Sequence, residues 1–543
     1  VISPLIALMK DQTDALSANG IPATFLNSSI DARTTVQRLD GLDAHRYKLL
    51  YVAPERLALA GFLAHLEGWN LEQIAVDEAH CVSEWGHDFR PEYRQIAKLR
   101  ERYPMVPMLA LTATATDRVR QDIERFLQLR NPHYFVSSFN RPNLRYSVFD
   151  KRDAAKQLVA YVQARGKESG IVYGQSRQTA EDLAAKLSAA GVRARPYHAG
   201  LSAAERARNQ ELFIRDEVQV ICATIAFGMG IDKPNVRFVA HYDIPKNLEG
   251  YYQETGRAGR DGLPSECALF FNGGDAAKQR HFITQIEDEH ERAQAQTRLR
   301  EMLDFAASAY CRRVHLLRYF GEPAQAADCG NCDNCLVPPE RIDATVAAQK
   351  LLSCVYRIRS RSGFSVGSHH VVDVLFGEST DKVLKWGHDR LPIFGIGSEY
   401  SKNEWLSFVS ELLALGCLEQ EAPYRTLALT EEGRTALRER RTFVFAKPKT
   451  VEPLKKSRKG RTGSQSIASG DGDLFESLRR LRKELADERG VPPYVVFSDV
   501  TLREFASQRP HSKAAFRAIS GVGDIKLETY GEIFIDAISR YAE

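Results

Sequence analysis

Two neighbouring acids, Asp77 and Glu78, end a short apolar run in QIAVDEAH. A site that cleaves a nucleoside triphosphate needs one carboxylate to hold Mg²⁺, commonly through water, and a second to orient the attacking water. Asp77 suits the first task and Glu78 the second, although DEAH alone reads equally well as an acidic surface turn. Far downstream, NLEGYYQETGRAGRDG carries Gln253, Arg257 and Arg260. On a helix, a spacing of three puts both arginines on nearly one face, where two guanidinium groups can reach one triphosphate and neutralise charge on a transferred phosphoryl group. The other reading is a solvated basic helix end. Just upstream, ATIAFGMGIDKPNV supplies Gly228 and Gly230 for close backbone approach, and Asp232 as an acceptor for nucleotide or domain contacts.

The acids run without a break into CVSEWGHDFRPEY, where Trp85, Phe89, Arg90 and Tyr93 are the residue types of a surface that stacks on bases. Aromatic faces stack on any base for about 1–3 kcal/mol each, and an arginine takes a phosphate, so such a surface is nearly blind to sequence. Core packing is the alternative for the same aromatics. A separate cluster, Cys311, Cys329, Cys332 and Cys335, follows C-x17-C-x2-C-x2-C. Four thiolates at this spacing can close a tetrahedron around a structural Zn²⁺, with no position left for catalysis, and Gly330 and Asn334 suit the tight turns between ligands. Two disulfides are the rival pairing. His315 nearby reads as a solvated or core histidine.

For the acids and arginines to meet, strands must deliver them. From residue 1 to about 271, short β-rich runs (KLLYVA, QIAVD, MLALTAT, GIVYG, VQVICAT, VRFVAHYD and CALFF) alternate with helical patterns. The alternation predicts an α/β fold of parallel sheets covered by helices, with ligands at the carboxyl ends of strands. SSFNRPNLRYSV breaks the rhythm around Pro142 and puts a domain boundary near residue 139. Helices then lead to the Cys cluster, and a small helical region ends in CLEQEAPYRTLALT, a candidate hairpin around Pro423. AKPKTVEPLKKSRKGRTGSQSIASGDGD has almost no large apolar residues and reads as a flexible basic linker, before a last amphipathic helical module.

A length of 543 residues requires several domains, and a net charge of +4 is too small to name a partner. Nine cysteines, four of them clustered, fit metal binding in a reducing compartment better than a secreted disulfide framework. No apolar run approaches the roughly 18 residues of a membrane span.

The segments SPLIALMKDQ, YVAPERL, DEAHCVSEWGHDFRPEY, LTATAT, YHAGLS, ATIAFGMGIDKPNVRFVAHYDIP and YYQETGRAGRDG stand in this order. Together they resemble superfamily 2 helicases, and more narrowly the bacterial RecQ family of DNA helicases, over nearly the whole chain. The resemblance implies two RecA-like domains, residues 1–138 and 139–271, that close on ATP and Mg²⁺ and walk 3′ to 5′ along single-stranded DNA. It implies a zinc-binding module at 272–340, a winged helix at 341–445, a linker at 446–472 and an HRDC domain at 473–543. Trp85, Phe89 and Arg90 match the family's DNA-sensing loop, while Ser3, Lys10, Arg56 and Thr112 lie in segments that contact the DNA backbone or couple the domains. In the winged helix, SKNEWLSFVSELLALG is the candidate recognition helix and the Pro423 hairpin the wing, so that Lys402 and Arg425 would face duplex phosphates.

The implied activity is ATP-dependent unwinding of duplex DNA in replication, recombination and repair, in the bacterial cytoplasm on the nucleoid. Single-stranded DNA-binding protein and other repair proteins are the implied protein partners, and no membrane is involved. The departure from the family is that no G-x-x-x-x-G-K-[ST] phosphate loop occurs. The chain opens at VISPLIALMKDQ, where the strand after that loop should be ending, so truncation upstream and weak or absent ATP hydrolysis are expected. A DNA-binding protein without motor activity is the first alternative reading, and a DEAH-type RNA helicase the second.

Overall fold

The computed structural model describes every residue except Asn19, His87, Arg152, 229–232, 324–325, Ala327, Pro339, 422–425, 447–468 and Glu543. The chain forms two compact units: Val1–Gln279 with Leu316–Gln325 and Arg458–Glu543, and Arg280–His315 with Ala326–Ser457. Among the described residues, no helix is long and apolar enough to cross a membrane.

In the first unit, Ala23–Leu26 pairs in parallel with Leu49–Val52, and Ile74–Val76 with Met108–Ala110. Ile2 bridges Val52 on one side and Val76 on the other, so the first three residues join both pairs into one sheet. Its apolar faces bury Leu26, Val76, Val82, Ile96 and Leu127. A second sheet runs in the order Leu144–Asp150, Ser265–Phe271, Val236–His241, Ser169–Tyr173, Val220–Ala223 and Ala194–Tyr197, all pairs parallel. Strands buried on both faces carry near-continuous Val, Ile and Ala. The helices between them start where a side-chain oxygen accepts from a free backbone N–H, as Thr116, Ser176, Ser202 and Asn247 do.

Within the segment 137–148, read as a break around Pro142, Leu144 already begins an edge strand, Leu144–Asp150, in full register with Ser265–Phe271. Only the part around Pro142 is irregular. The last module packs Ser469–Arg489, Asp499–Gln508 and Asp524–Ala542 around Phe497, Phe505, Phe516 and Phe534. Its first helix therefore begins within the stretch read as linker, the rest of which lies mostly outside the described residues. Against the second sheet's domain it sets Arg482, which bonds Asp499 at 2.7 Å and lies 4.0 Å from Asp216. Burial opposes ionisation of Asp216, but Lys233, Arg479 and Arg482 outweigh it and hold the carboxyl down at about 2.

In the second unit, Thr345–Ser362, Ser368–Phe376 and Lys402–Ala414 enclose Leu351, Val371, Leu375, Phe408 and Leu412. A hairpin, Leu418–Glu421 with Thr426–Leu429, forms the wing. Arg341–Asp343 and Val444–Ala446 pair antiparallel to close the domain. Trp405 is fully buried, its Nε1 donating to Gly397 O at 2.7 Å.

This core also contains two imidazoles. His370 Nε2 and His388 Nδ1 are 2.7 Å apart, and His388 Nε2 is 2.5 Å from Ser362 Oγ. Burial, then the His388 ring and Lys382, push His370 down to about 4 against the pull of Asp373. Burial and Arg361 lower His388, against Asp389. Both rings are thus favoured neutral in the folded state, and the stability they allow is complete above the unfolded value of 6.5. As pH falls from there towards about 4, the unfolded chain gains protons that the folded one refuses. The winged-helix unfolding transition should therefore have a lower urea midpoint at about pH 5 than at pH 7. His370→Gln should flatten that dependence; an unaltered slope would show that the pair is not its source.

Candidate active site

Asp77 leaves the strand Ile74–Val76 with its N–H donating to Ile2 O at 2.8 Å. Its carboxylate accepts from Ser3 Oγ at 3.0 Å and from the Glu78 N–H at 3.0 Å. Glu78 then adopts φ 47°, ψ 45°, the left-handed region that a residue with a Cβ rarely enters. Such strain costs of order 1–3 kcal/mol and persists where surrounding contacts over-determine it. The contacts here are Ala79 N to Leu111 O at 2.9 Å and the buried His80, whose Nδ1 lies 2.9 Å from Thr112 Oγ1 and 3.3 Å from Glu78 Oε2. Burial, then Asp77, push the Glu78 carboxyl up to about 7, with Asp88 adding to the shift and Arg257 and Arg90 opposing it. A carboxyl poised there can accept a proton from water near neutral pH.

Arg257 sits elsewhere on its element than the spacing predicts. The helix Leu248–Thr255 stops before it, and Gly256 to Gly262 form a turn, so the two arginines do not share a helical face. Arg257 is 5% exposed while Arg260 points outward. Among the described residues Arg257 Nε has no hydrogen-bond partner. A buried cation with a donor still unsatisfied suits an incoming anionic oxygen. Gly228 meets its expected need for close approach: a Cβ there would stand 3.1 Å from Arg257 Nη2 and 2.9 Å from Ile225 O. Gln253 is half-buried on the helix. Gly230 and Asp232 lie outside the described residues, as do Pro423 and Arg425.

The loop after the acids is more tightly built than a free stacking surface. Tyr93, expected among the base-facing aromatics, is fully buried, with its hydroxyl donating to Asp77 O at 2.9 Å. Trp85 is half-buried, and the Arg118 guanidinium carbon lies 3.5 Å from its ring centre. Arg94 covers Phe89 at 5.0 Å. Arg90 donates through Nε and Nη2 to Asp88 Oδ2, each at 3.0 Å. The sequence carried no signal for Arg118, which stands a helix away from the ring it covers.

Ser3 is 1% exposed and committed to Asp77, so it is a prop for the acid rather than a phosphate contact. Lys10 is exposed and pairs with Asp14 at 2.5 Å, and Arg56 is half-buried in the turn Pro54–Ala58. Lys402 bonds Asp373 at 2.6 Å and also pairs with Glu378, so its charge is already balanced, contrary to a free phosphate-facing lysine. One face of its helix is core, through Trp405, Phe408, Val409 and Leu412.

The four cysteine sulfurs lie within 4.8 Å of one another. Cys332 Sγ is 3.4 Å from Cys335 and 4.0 Å from Cys311, and Cys329 is 4.0 Å from Cys335. Zn–S bonds of about 2.3 Å in a tetrahedron put sulfurs about 3.8 Å apart, so the set fits zinc. Gly330 takes φ +63° as a tight turn needs. Asn334 does not act as a turn residue; it lies in Asp333–Leu336 and its amide donates to Ser308 O at 2.8 Å and Tyr310 O at 2.7 Å. Arg312 grips Asp333 at 3.0 Å, locking the Cys311 and Cys332 segments together. The His315 ring packs edge-on against Phe305 at 5.6 Å.

An acid pair on one parallel-sheet domain, under the field of a buried arginine from a second, defines a nucleotide-driven motor of the helicase type. Models of known families match in the same order: DEAD/DEAH box helicase over residues 1–123, helicase conserved C-terminal domain over 150–262, RecQ zinc-binding over 273–336, RQC domain over 338–453 and HRDC domain over 471–538. The chain is 45% identical over its full length to the ATP-dependent DNA helicase RecQ of Haemophilus influenzae, spanning 87% of that protein. It is 44% identical to that of Pasteurella multocida, spanning 85%, and 41% identical to that of Bacillus subtilis, spanning 89%. The chain belongs to the RecQ family of ATP-dependent DNA helicases.

Metal analysis of the purified protein should return one zinc per chain. Cys332→Ser, at the most buried of the paired sulfurs, should lose it and destabilise the second unit by several kcal/mol, because metal binding and folding are one equilibrium in such sites. Full stability without zinc would contradict the assignment.

Proposed function

We propose that ATP hydrolysis in this chain is switched by single-stranded DNA through the loop that follows the acid pair, driving 3′-to-5′ travel and duplex unwinding. The observation that carries this reading is the Tyr93 hydroxyl on Asp77 O at 2.9 Å, which makes loop and acids one mechanical piece. Asp88 and Arg90, both on the loop, act electrically on Glu78 as well. A strand that draws Arg90 towards a phosphate, and takes the place of Arg118 against Trp85, would change the surroundings of the catalytic acid. In this reading Glu78 orients and deprotonates the attacking water, and Arg257 takes charge developing on the phosphoryl group, with Arg260 and Gln253 at the rim. Asp77 would hold Mg²⁺, which supplies positive charge against the phosphates. The sequence holds no Gly-Lys-Ser or Gly-Lys-Thr phosphate loop, and on this reading the phosphates meet the acid and arginine sides.

We assign residues 1–138 and 139–271 to the motor domains, 272–340 to the zinc module, 341–445 to the winged helix, 446–472 to the linker and 473–543 to the HRDC domain. Protein partners on this reading are single-stranded DNA-binding protein and other repair factors, met on the nucleoid in the cytoplasm. The family match favours the motor over a passive DNA-binding protein, and DNA over RNA.

Measured in a chain that also carries the phosphate loop, Trp85→Ala should reduce the ratio of DNA-stimulated to basal ATP turnover by about tenfold, the scale of one lost base stack. Glu78→Gln should lower kcat by about 10² or more, as loss of a general base does. A stimulation ratio unmoved by the tryptophan change would defeat the switch, and equal stimulation by RNA would defeat the choice of strand.

A further inference from the structure

The segment that joins the two sheets' domains does more than connect them. Ser138 Oγ and the Phe139 N–H both donate to Glu322, at 2.6 and 2.7 Å, and Phe139 stacks on Phe320 with ring centres 4.5 Å apart. The Tyr252 hydroxyl donates to Phe139 O at 2.9 Å, fastening the segment to the helix that precedes Arg257. Two residues on, Arg141 donates through Nη1 to Gly256 O at 3.3 Å and through Nη2 to Ala258 O at 3.1 Å and Gly259 O at 2.9 Å. Asn143 Nδ2 donates to Gly259 O at 2.9 Å and Leu263 O at 3.1 Å.

These carbonyls belong to the turn that carries Arg257. A helix that ends leaves its last carbonyls without intrahelical donors, and the turn beyond supplies few of its own. The planar fork of a guanidinium is the side chain whose fixed donors can span three of them. The turn cannot easily reshape itself in compensation: Gly259 takes φ +56°, and a Cβ there would stand 2.5 Å from Asn143 Nδ2 and 2.7 Å from Ser265 Oγ.

We propose that Arg141 is a positioning residue for Arg257: it moulds the arginine-bearing turn from the interdomain segment, so that rotation between the two motor domains is transmitted to the arginine. This rests on the reading of Arg257 as the group that meets the phosphates. It adds a residue outside the nucleotide site on which arginine geometry depends, and it gives the joining segment a share in catalysis without touching substrate.

The test, in a chain that also carries the phosphate loop, compares R141A, R141K, R257A and the double variant R141A/R257A by ATP turnover with single-stranded DNA and by hydrogen–deuterium exchange. R141A should quicken exchange in the peptide 256–263 by about tenfold while the strand Val220–Ala223 keeps its protection. It should lower kcat by about tenfold with little change in KM for ATP, the signature of a misplaced group rather than lost binding. R141K, able to reach one carbonyl at a time, should fall between, and it carries the test if R141A fails to fold. The double variant should be no slower than R257A. Unchanged exchange in the turn, or losses that add in the double variant, would overturn the proposal. If R257A itself kept its kcat, the reading of Arg257 would fall, and the exchange measurement alone would then decide whether Arg141 shapes the turn.

Discussion

Two carboxylates on adjacent residues, both partly out of water, repel each other, and the first motor domain is arranged around holding them apart yet together. Asp77 is stabilised as an acceptor by Ser3 and by the next backbone N–H. Among the described residues, Glu78 receives no such donors. Its left-handed backbone turns it away from its neighbour towards His80. Burial and the neighbouring Asp77 push the Glu78 carboxyl up to about 7, a shift that environment alone imposes. The strand position of Ile2 follows from the same need, since it delivers Ser3 to Asp77 and also joins the two strand pairs.

The arginines complete the balance. Arg257 reduces the repulsion at Glu78 from the second domain, and Arg90 does so from the loop, where Asp88 partly cancels it. Any anionic strand near Arg90 competes with Asp88 for the same guanidinium. Because charge-assisted contacts in partly buried surroundings are worth more than exposed ones, a small movement of Arg90 is felt at Glu78. The aromatic rings enter differently. Trp85 and Phe89 are covered by Arg118 and Arg94, and a guanidinium over a ring face occupies the surface a base would use. On the proposed reading, stacking by DNA would exchange one flat partner for another, with a smaller net gain than on a bare ring, and would free a cation for the phosphates.

The strands and the zinc ligands were legible because each rests on local rules: β-rich runs, and four cysteines at short spacing. DEAH was legible as chemistry because both acids follow directly from a strand. What was not legible depends on where a side chain points. Tyr93 looks in sequence like Trp85 and Phe89, but only its hydroxyl has a carbonyl to reach, and it is drawn inside. Ser3 and Lys402 have the side chains of phosphate contacts and are engaged by Asp77 and by Asp373 and Glu378 instead. The arginine pair was read on a helix because its spacing permits one; GRAGRDG, with three glycines, ends the helix first.

A common device links these surprises. The chemistry of this chain sits on irregular backbone, where ladder hydrogen bonds are missing and every buried carbonyl needs another donor. Side chains supply it: Arg141 for the arginine turn, Asn334 for the loop before Cys311, and Arg312 for Phe305 and Ala306 at the end of Glu289–Ala307. In each case a side-chain donor fixes a functional group's position through the main chain rather than by touching it. Such donors have no periodicity and no fixed spacing from the residues they serve, so a pattern search finds the reactive group and misses its support. The precision of the site is therefore distributed over residues whose letters suggest solvent or DNA, and their substitution acts on geometry before it acts on charge.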